Sequence, residues 1–176
     1  MKTLVLLFAV AFYFLISSCN EGLICPSEWV LFGESCYKSV MEKMTFDDAV
    51  KTCTDMSGRL AVPTSFTDNQ FIFEMVNKVV GLKGKVWVGC TDKKEEEKWV
   101  QLGEGGEECS FFNWYPGEPN SRDPDDDCAQ MILPRNGSWY DGQCDGMCYV
   151  VCQRPAVAPT NPLLYCLQAD TNGRFA

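Results

Sequence analysis

The sequence predicts an α+β domain stapled by disulfides, and three observations carry that expectation. Two segments with helical spacing follow one another near the front, from Phe46 to Cys53 and from Ile72 to Val79. Short strand-like segments precede and follow them without alternating with them, which favours α+β over α/β. Eleven cysteines in 176 residues are too many for a reducing compartment, and they lack the paired spacing of a zinc site.

The frame is legible in chain order. In CPSEWVLFGESCYKSV, Trp29, Leu31, Tyr37 and Val40 suit half-buried strands, and Gly33-Glu34 sits where a tight turn is needed. Phe46, Ala49, Val50 and Cys53 fall at i, i+3, i+4 and i+7, with Thr45 and Asp48 as a capping pair and Gly58 closing the element. The second helix shows the same spacing at Ile72, Met75, Val76 and Val79, with Ser65 or Thr67 as its cap. KVWVGC then reads as a strand entering the interior. MILP and SWYDGQC read as a hairpin across Asn136-Gly137, and YVVCQRP as a last short strand. The stretch from Thr91 to Gln130 is far longer than ordinary connections, so it is functional or disordered, and its tryptophans and cysteines favour order.

Composition removes several function classes. The chain carries a formal charge of −9, against the basic patches that nucleic acid or anionic membrane would require. It has no histidine, so His-based acid/base chemistry and His-assisted nucleophiles are excluded, and no enzyme is expected. Lys2, the apolar run Leu4–Ile16 and the small residues Ser17 and Ser18 read as a signal peptide over residues 1–19. Thirteen apolar residues are too few to span roughly 30 Å of hydrocarbon, so a secreted, extracellular protein with no membrane span is expected. Cleavage there leaves ten cysteines, an even number.

One loop concentrates chemistry: GEPNSRDPDDDCAQMILPRNGSWYDGQC, from Gly117 to Cys144. A Glu-Pro-Asn triplet, four aspartates before Cys128 and a Trp-Tyr-Asp before Cys144 crowd carboxylate and carboxamide oxygens into one place. Oxygen donors without nitrogen or sulfur suit a hard cation, since Ca²⁺ takes about 6–8 oxygen ligands. The ordinary alternative is a solvated acidic surface, and for the rest of the chain it is the better reading.

Taken together, these residues resemble a C-type lectin-like domain. The landmarks stand in order: CPSEWVLFGESCY, the first helix with Cys53, GRLAVPTSFTDNQFI, Trp87-Val88-Gly89, NWYPGEPN, Cys128, Trp139, Cys144 and Cys152. The resemblance covers residues 25–153 and leaves 154–176 as a Pro-rich linker and short tail. It implies a C-type lectin-like fold with bridges Cys53–Cys152 and Cys128–Cys144, and Cys25–Cys36 as in the family's longer form. Closing the loop between Cys53 and Cys152 is worth up to roughly 4.7 kcal/mol, and the shorter one about 3 kcal/mol. Four cysteines then remain, which allow three connectivities. Cys90–Cys109 and Cys148–Cys166 are the expected pairs.

The resemblance also implies a function. In sugar-binding members one Ca²⁺ holds vicinal sugar hydroxyls, and the side chains on the ion hydrogen-bond the same hydroxyls. Glu118 and Asn120 match the Glu-Pro-Asn motif, with Pro119 expected in the cis form. Asp126, two before Cys128, and Asp141, in Trp139-Tyr140-Asp141, match two further ligands. These four are the expected metal and sugar ligands, for mannose, fucose or N-acetylglucosamine. Tyr140 departs from the pattern, which places asparagine there, and a neutral phenol is a poor Ca²⁺ ligand. The family's auxiliary site has Asp127 in place but Ser121 where an acid often stands; Glu95 to Glu97 are candidate contributors. The alternative function is a Ca²⁺-independent protein-binding domain. Trp114 and Tyr115 suit a core better than a sugar face. Asn136-Gly137-Ser138 is an acceptor for N-glycosylation.

Overall fold

The computed structural model describes residues 22–102 and 106–159. The expected signal peptide, Cys166 and the tail beyond 159 lie outside the described residues. The chain opens with β1 (Val30–Phe32) and β2 (Ser35–Met44), paired antiparallel with Phe32 opposite Ser35 across the turn at Gly33. Gly33 has φ +57, a left-handed conformation that glycine adopts without penalty.

Helix α1 (Phe46–Asp55) begins at the expected cap, where Thr45 Oγ1 accepts from the Asp48 amide. Its Phe46, Ala49 and Cys53 are buried, as their spacing predicts. β3 (Arg59–Leu60) leads to α2 (Phe66–Val80), capped by Ser65. The buried face of α2 differs from the expected one. Asn69, Ile72, Phe73 and Val76 point inward, and Val79 is 65% exposed. The polar Asn69 belongs to the core because its amide serves two buried partners described below.

Strands β4 (Lys85–Thr91), β5 (Val100–Gln101), β6 (Cys128–Ile132), β7 (Ser138–Tyr140) and β8 (Cys148–Pro155) complete the fold. Strand order is β1-β2-β8-β4-β6-β7, with β3 joined to β8 and β5 to β4. The last strand is therefore central: β8 pairs antiparallel with β2 and parallel with β4. Alternation along β4 sends Val86 and Val88 to a core shared with α2, and Trp87 to a second core under α1. Beyond β8, Val157 bridges Ile24 and closes the two ends of the described chain together.

The expected two-residue turn between β6 and β7 is longer in the structure. A 3-10 turn, Leu133–Arg135, precedes Asn136 at φ 52 and Gly137 at φ 77. Among the described residues four disulfides are present: Cys25–Cys36, Cys53–Cys152, Cys90–Cys109 and Cys128–Cys144. The expected Cys148–Cys166 bridge reaches a residue outside the described ones. Among the described residues Cys148 alone is a free thiol, 1% exposed, and burial pushes its pKa up to about 12.

Gly89 is where β4 lies against β3. A Cβ there would sit 2.8 Å from the Leu60 carbonyl oxygen and 2.9 Å from Val62 Cγ2, and the first of these is backbone. Gly89→Ala is expected to destabilise the domain by roughly 1–3 kcal/mol. Each kcal/mol should lower Tm by about 2–4 °C in calorimetry. A Tm unchanged from that of the native protein would contradict this packing.

Candidate functional site

The loop after Cys109 is tethered before it reaches the acidic stretch. The Cys90–Cys109 bridge ties its start to β4, and Trp99, 7% exposed, packs beside it. Trp114 then turns inward, its ring 4.7 Å from Trp99 and 5.7 Å from Trp139. Trp114 is thus the core aromatic that its setting predicted. The backbone joins β7 on both sides of that ring: the Trp139 amide donates to Asn113, and the Tyr115 amide to Trp139.

Trp139 organises the crossing. It is fully buried, and its Nε1 donates to Asn69 Oδ1 at 2.6 Å. Asn69 Nδ2 donates in turn to the Gly137 carbonyl, which also accepts from Asn113 Nδ2. One asparagine of α2 therefore fixes the turn, the tryptophan and the start of the loop.

From this frame the triplet projects. The Glu118 amide donates to the Tyr115 carbonyl at 2.8 Å, and the Glu118–Pro119 bond is cis, as expected. Asn120 Nδ2 donates to Glu118 Oε2. Asp141, 9% exposed, lies behind them, and its Oδ2 accepts from the amides of Asn120 at 3.0 Å and Ser121 at 2.6 Å. Burial, with the Asp141 carboxylate beside it, raises the Glu118 pKa to about 7. The other amide atom, Asn120 Oδ1, is buried with no hydrogen-bond partner.

Three of the four expected ligands, Glu118, Asn120 and Asp141, are therefore joined directly. Asp126 is not joined to them: its Oδ2 accepts from the Asp123 amide at 3.2 Å, within its own turn. Among the described residues no group of three or more His, Cys, Asp or Glu side chains converges as on an ion. The donor set nevertheless fits a hard cation. It is all oxygen, two of its carboxylates crowd each other, and its one amide oxygen is buried without a donor.

Tyr140 does not enter this cluster. Its ring lies against Tyr115, with centroids 5.3 Å apart and planes inclined by 32°. The Arg135 guanidinium lies 5.2 Å over the same Tyr115 ring.

In a second acidic group, with Glu96 and Asp127, one member escaped the sequence reading. Asp92, at the end of β4, is 3% exposed; Oδ2 accepts from the Glu97 amide, and Oδ1 has no partner. Burial, then the charges of Glu96 and Asp127, raises its pKa to about 6. Asp127 is raised for the same reasons, burial first and then Glu96. Ser121 bonds Glu96 Oε1 at 2.6 Å, so the serine standing in an acid's place still meets one. The available signal was an aspartate at a strand end with Glu96 four residues on.

The family profile described as "Lectin C-type domain" matches residues 42–154. The chain is 30% identical to the hepatic lectin of Gallus gallus over 144 residues, covering 78% of this chain and 66% of that relative. Its fold matches the carbohydrate-recognition domain of mouse scavenger receptor C-type lectin with a TM-score of 0.66. The two are 33% identical, over 77% of this chain and 99% of that one. It also matches a calcium-independent type II antifreeze protein, with TM-score 0.68 and 28% identity over 77% and 98% of the two chains. The chain belongs to the C-type lectin domain family. Many members bind carbohydrate, and the likeness to a calcium-independent protein leaves the ion to be argued from this chain's own residues.

Proposed function

We propose that the protein is a secreted, non-enzymatic lectin that binds mannose-type sugars (mannose, fucose or N-acetylglucosamine) through vicinal hydroxyls in the presence of Ca²⁺. The observation that carries this reading is the buried, unpartnered Oδ1 of Asn120 beside Glu118 and Asp141. A buried amide oxygen without a donor costs about 1–3 kcal/mol unless something else satisfies it.

Glu118, Asn120 and Asp141 would hold the ion, with Asp126 turning from the Asp123 amide to join them. When bound, calcium supplies an electropositive centre for two sugar hydroxyls. The chain's part is to orient them: Glu118 would accept a hydrogen bond from one hydroxyl, and Asn120 Nδ2, now paired with Glu118, would donate to the neighbouring hydroxyl. Asp141 keeps the triplet in place through the Asn120 and Ser121 amides. Asp92, Glu96 and Asp127 would have to draw together to hold the auxiliary cation; the unpartnered Asp92 Oδ1, under the charge of the other two carboxylates, supports that reading. No hydroxyl-activating histidine exists in the chain, which supports binding without turnover.

Native protein should be retained on mannose resin with calcium and released by a chelator. Glu118→Gln with Asn120→Asp exchanges acceptor and donor and should shift preference toward galactose. Retention indifferent to chelator would instead favour the protein-binding reading. One observation supports that second reading: the ligand position of the family's asparagine is filled by Tyr140, which leaves the cluster for Tyr115.

A further inference from the structure

The turn between β6 and β7 holds an asparagine whose side chain neither the core nor the cation reading uses. Three asparagines meet at this turn, and two of them are spent on holding it. Asn69 Nδ2 and Asn113 Nδ2 both donate to the Gly137 carbonyl. The third, Asn136, engages the fold through its backbone: its amide donates to the Leu133 carbonyl, and its carbonyl accepts from Gln70 Nε2 at 3.4 Å. Its side chain is exposed and has no hydrogen-bond partner among the described residues. The space beneath the turn is already filled. A Cβ built on Gly137 would stand 3.2 Å from Phe73 Cβ and 3.3 Å from Asn69 Nδ2. Asn136 sits at φ 52, a left-handed conformation that asparagine tolerates, and keeps its amide in water. Ser138, two residues on, opens β7 half-buried, its hydroxyl likewise unspent among the described residues. Asn136-Gly137-Ser138 is the one Asn-x-Ser/Thr triplet in the 176 residues.

Resting on the secreted part of the reading above, and on neither its sugar nor its ion, we propose that Asn136 is an N-glycosylation site. The new bond joins Asn136 Nδ2 to the anomeric carbon of an oligosaccharide carried on a lipid diphosphate. The bond from that carbon to the diphosphate breaks, the diphosphate leaves with the electron pair, and the amide gives up one proton. The Ser138 hydroxyl is the second feature of the acceptor triplet. The fold decides whether the product is tolerated, because a bulky polar glycan needs a root that folding leaves in water. Asn69, buried and bonded to Trp139, could not serve; Asn136 has nothing to give up. The root also has a definite place. The neighbouring Arg135 guanidinium lies over the Tyr115 ring, and the Tyr115 carbonyl holds the Glu118 amide, so the glycan leaves the chain beside the turn that presents the triplet Glu118 to Asn120.

The test is peptide mass spectrometry on the full chain expressed in eukaryotic cells, recovered from both medium and lysate. The peptide containing position 136 is expected to carry a glycan that peptide N-glycosidase removes, leaving aspartate there. Asn136→Asp, which keeps a residue that tolerates the left-handed backbone, should lose the glycan entirely. Ser138→Ala should lose it too, although the asparagine remains, and Ser138→Thr should retain it. An unmodified peptide from protein in the medium overturns the site and leaves secretion standing. An unmodified chain found only in the lysate removes secretion and site together. A glycan that survives Ser138→Ala overturns the proposal as well, because the triplet would then not be what is read.

Discussion

Asp141→Ala is expected to abolish calcium-dependent retention on mannose resin and to lower Ca²⁺ affinity by at least about 100-fold, more than the loss of an outer-shell partner usually costs. Two effects combine at this residue. It is one of the three joined oxygen donors, and its Oδ2 is the acceptor for the amides of Asn120 and Ser121. Removing it strands two N–H groups under the triplet, and each lost bond to a charged acceptor costs roughly 1.5–3 kcal/mol. The triplet would then lose its orientation as well as a ligand. Asp141→Asn separates the two contributions, because a carboxamide oxygen can still accept from both amides while carrying no charge. It should keep the thermal stability of the loop and lose most of the ion affinity. Full Ca²⁺ affinity in Asp141→Ala, measured by calorimetry, would defeat the cation reading at its centre.

The grouping of Glu118, Asn120 and Asp141 was legible through the family resemblance, whose motifs fix their spacing. Glu118, Asn120 and Asp141 stand at fixed distances from Cys128 and Cys144, and the bridge between those cysteines preserves the spacing in space. Helix α1 was legible for a local reason: its cap, its apolar face and its end are all set within a dozen residues. What escaped depends on partners far away in the chain. Asn69 is polar, and hydrophobic spacing cannot assign it to a core unless Trp139 and Gly137 are known to meet it. With Asn69 inside, the buried stripe of α2 shifts and Val79 turns out to solvent. For Cys148 the sequence offered only parity, since an even count invites complete pairing. In the fold it lies on β8 against Phe46, Trp87 and Val150, in an apolar core. Tyr140 read as a lost ligand, because only the tertiary structure brings Tyr115 to its ring.

Trp139 is where frame and site are coupled, and its variants should show this in stability and binding at once. Its ring is fully buried against Phe111, Phe112 and Trp114, at centroid distances of 5.7, 6.4 and 5.7 Å. Truncation to alanine leaves a large cavity and is expected to cost roughly 3–5 kcal/mol, which removes much of the stability of a domain this size. Trp139→Phe fills most of the space but strands Asn69 Oδ1, and should cost about 1–3 kcal/mol. Asn69→Leu would strand the indole N–H and the Gly137 carbonyl from the other side. If one network joins these groups, the double variant should be less destabilised than the sum of the singles, by an interaction of roughly 0.5–3 kcal/mol. Denaturant unfolding of the four proteins measures that difference directly. Because the Trp139 backbone also bonds Asn113 and Tyr115, Trp139→Phe should weaken Ca²⁺ binding as the loop loosens. Additive stabilities with unchanged Ca²⁺ affinity would mean that the core and the candidate site are mechanically independent.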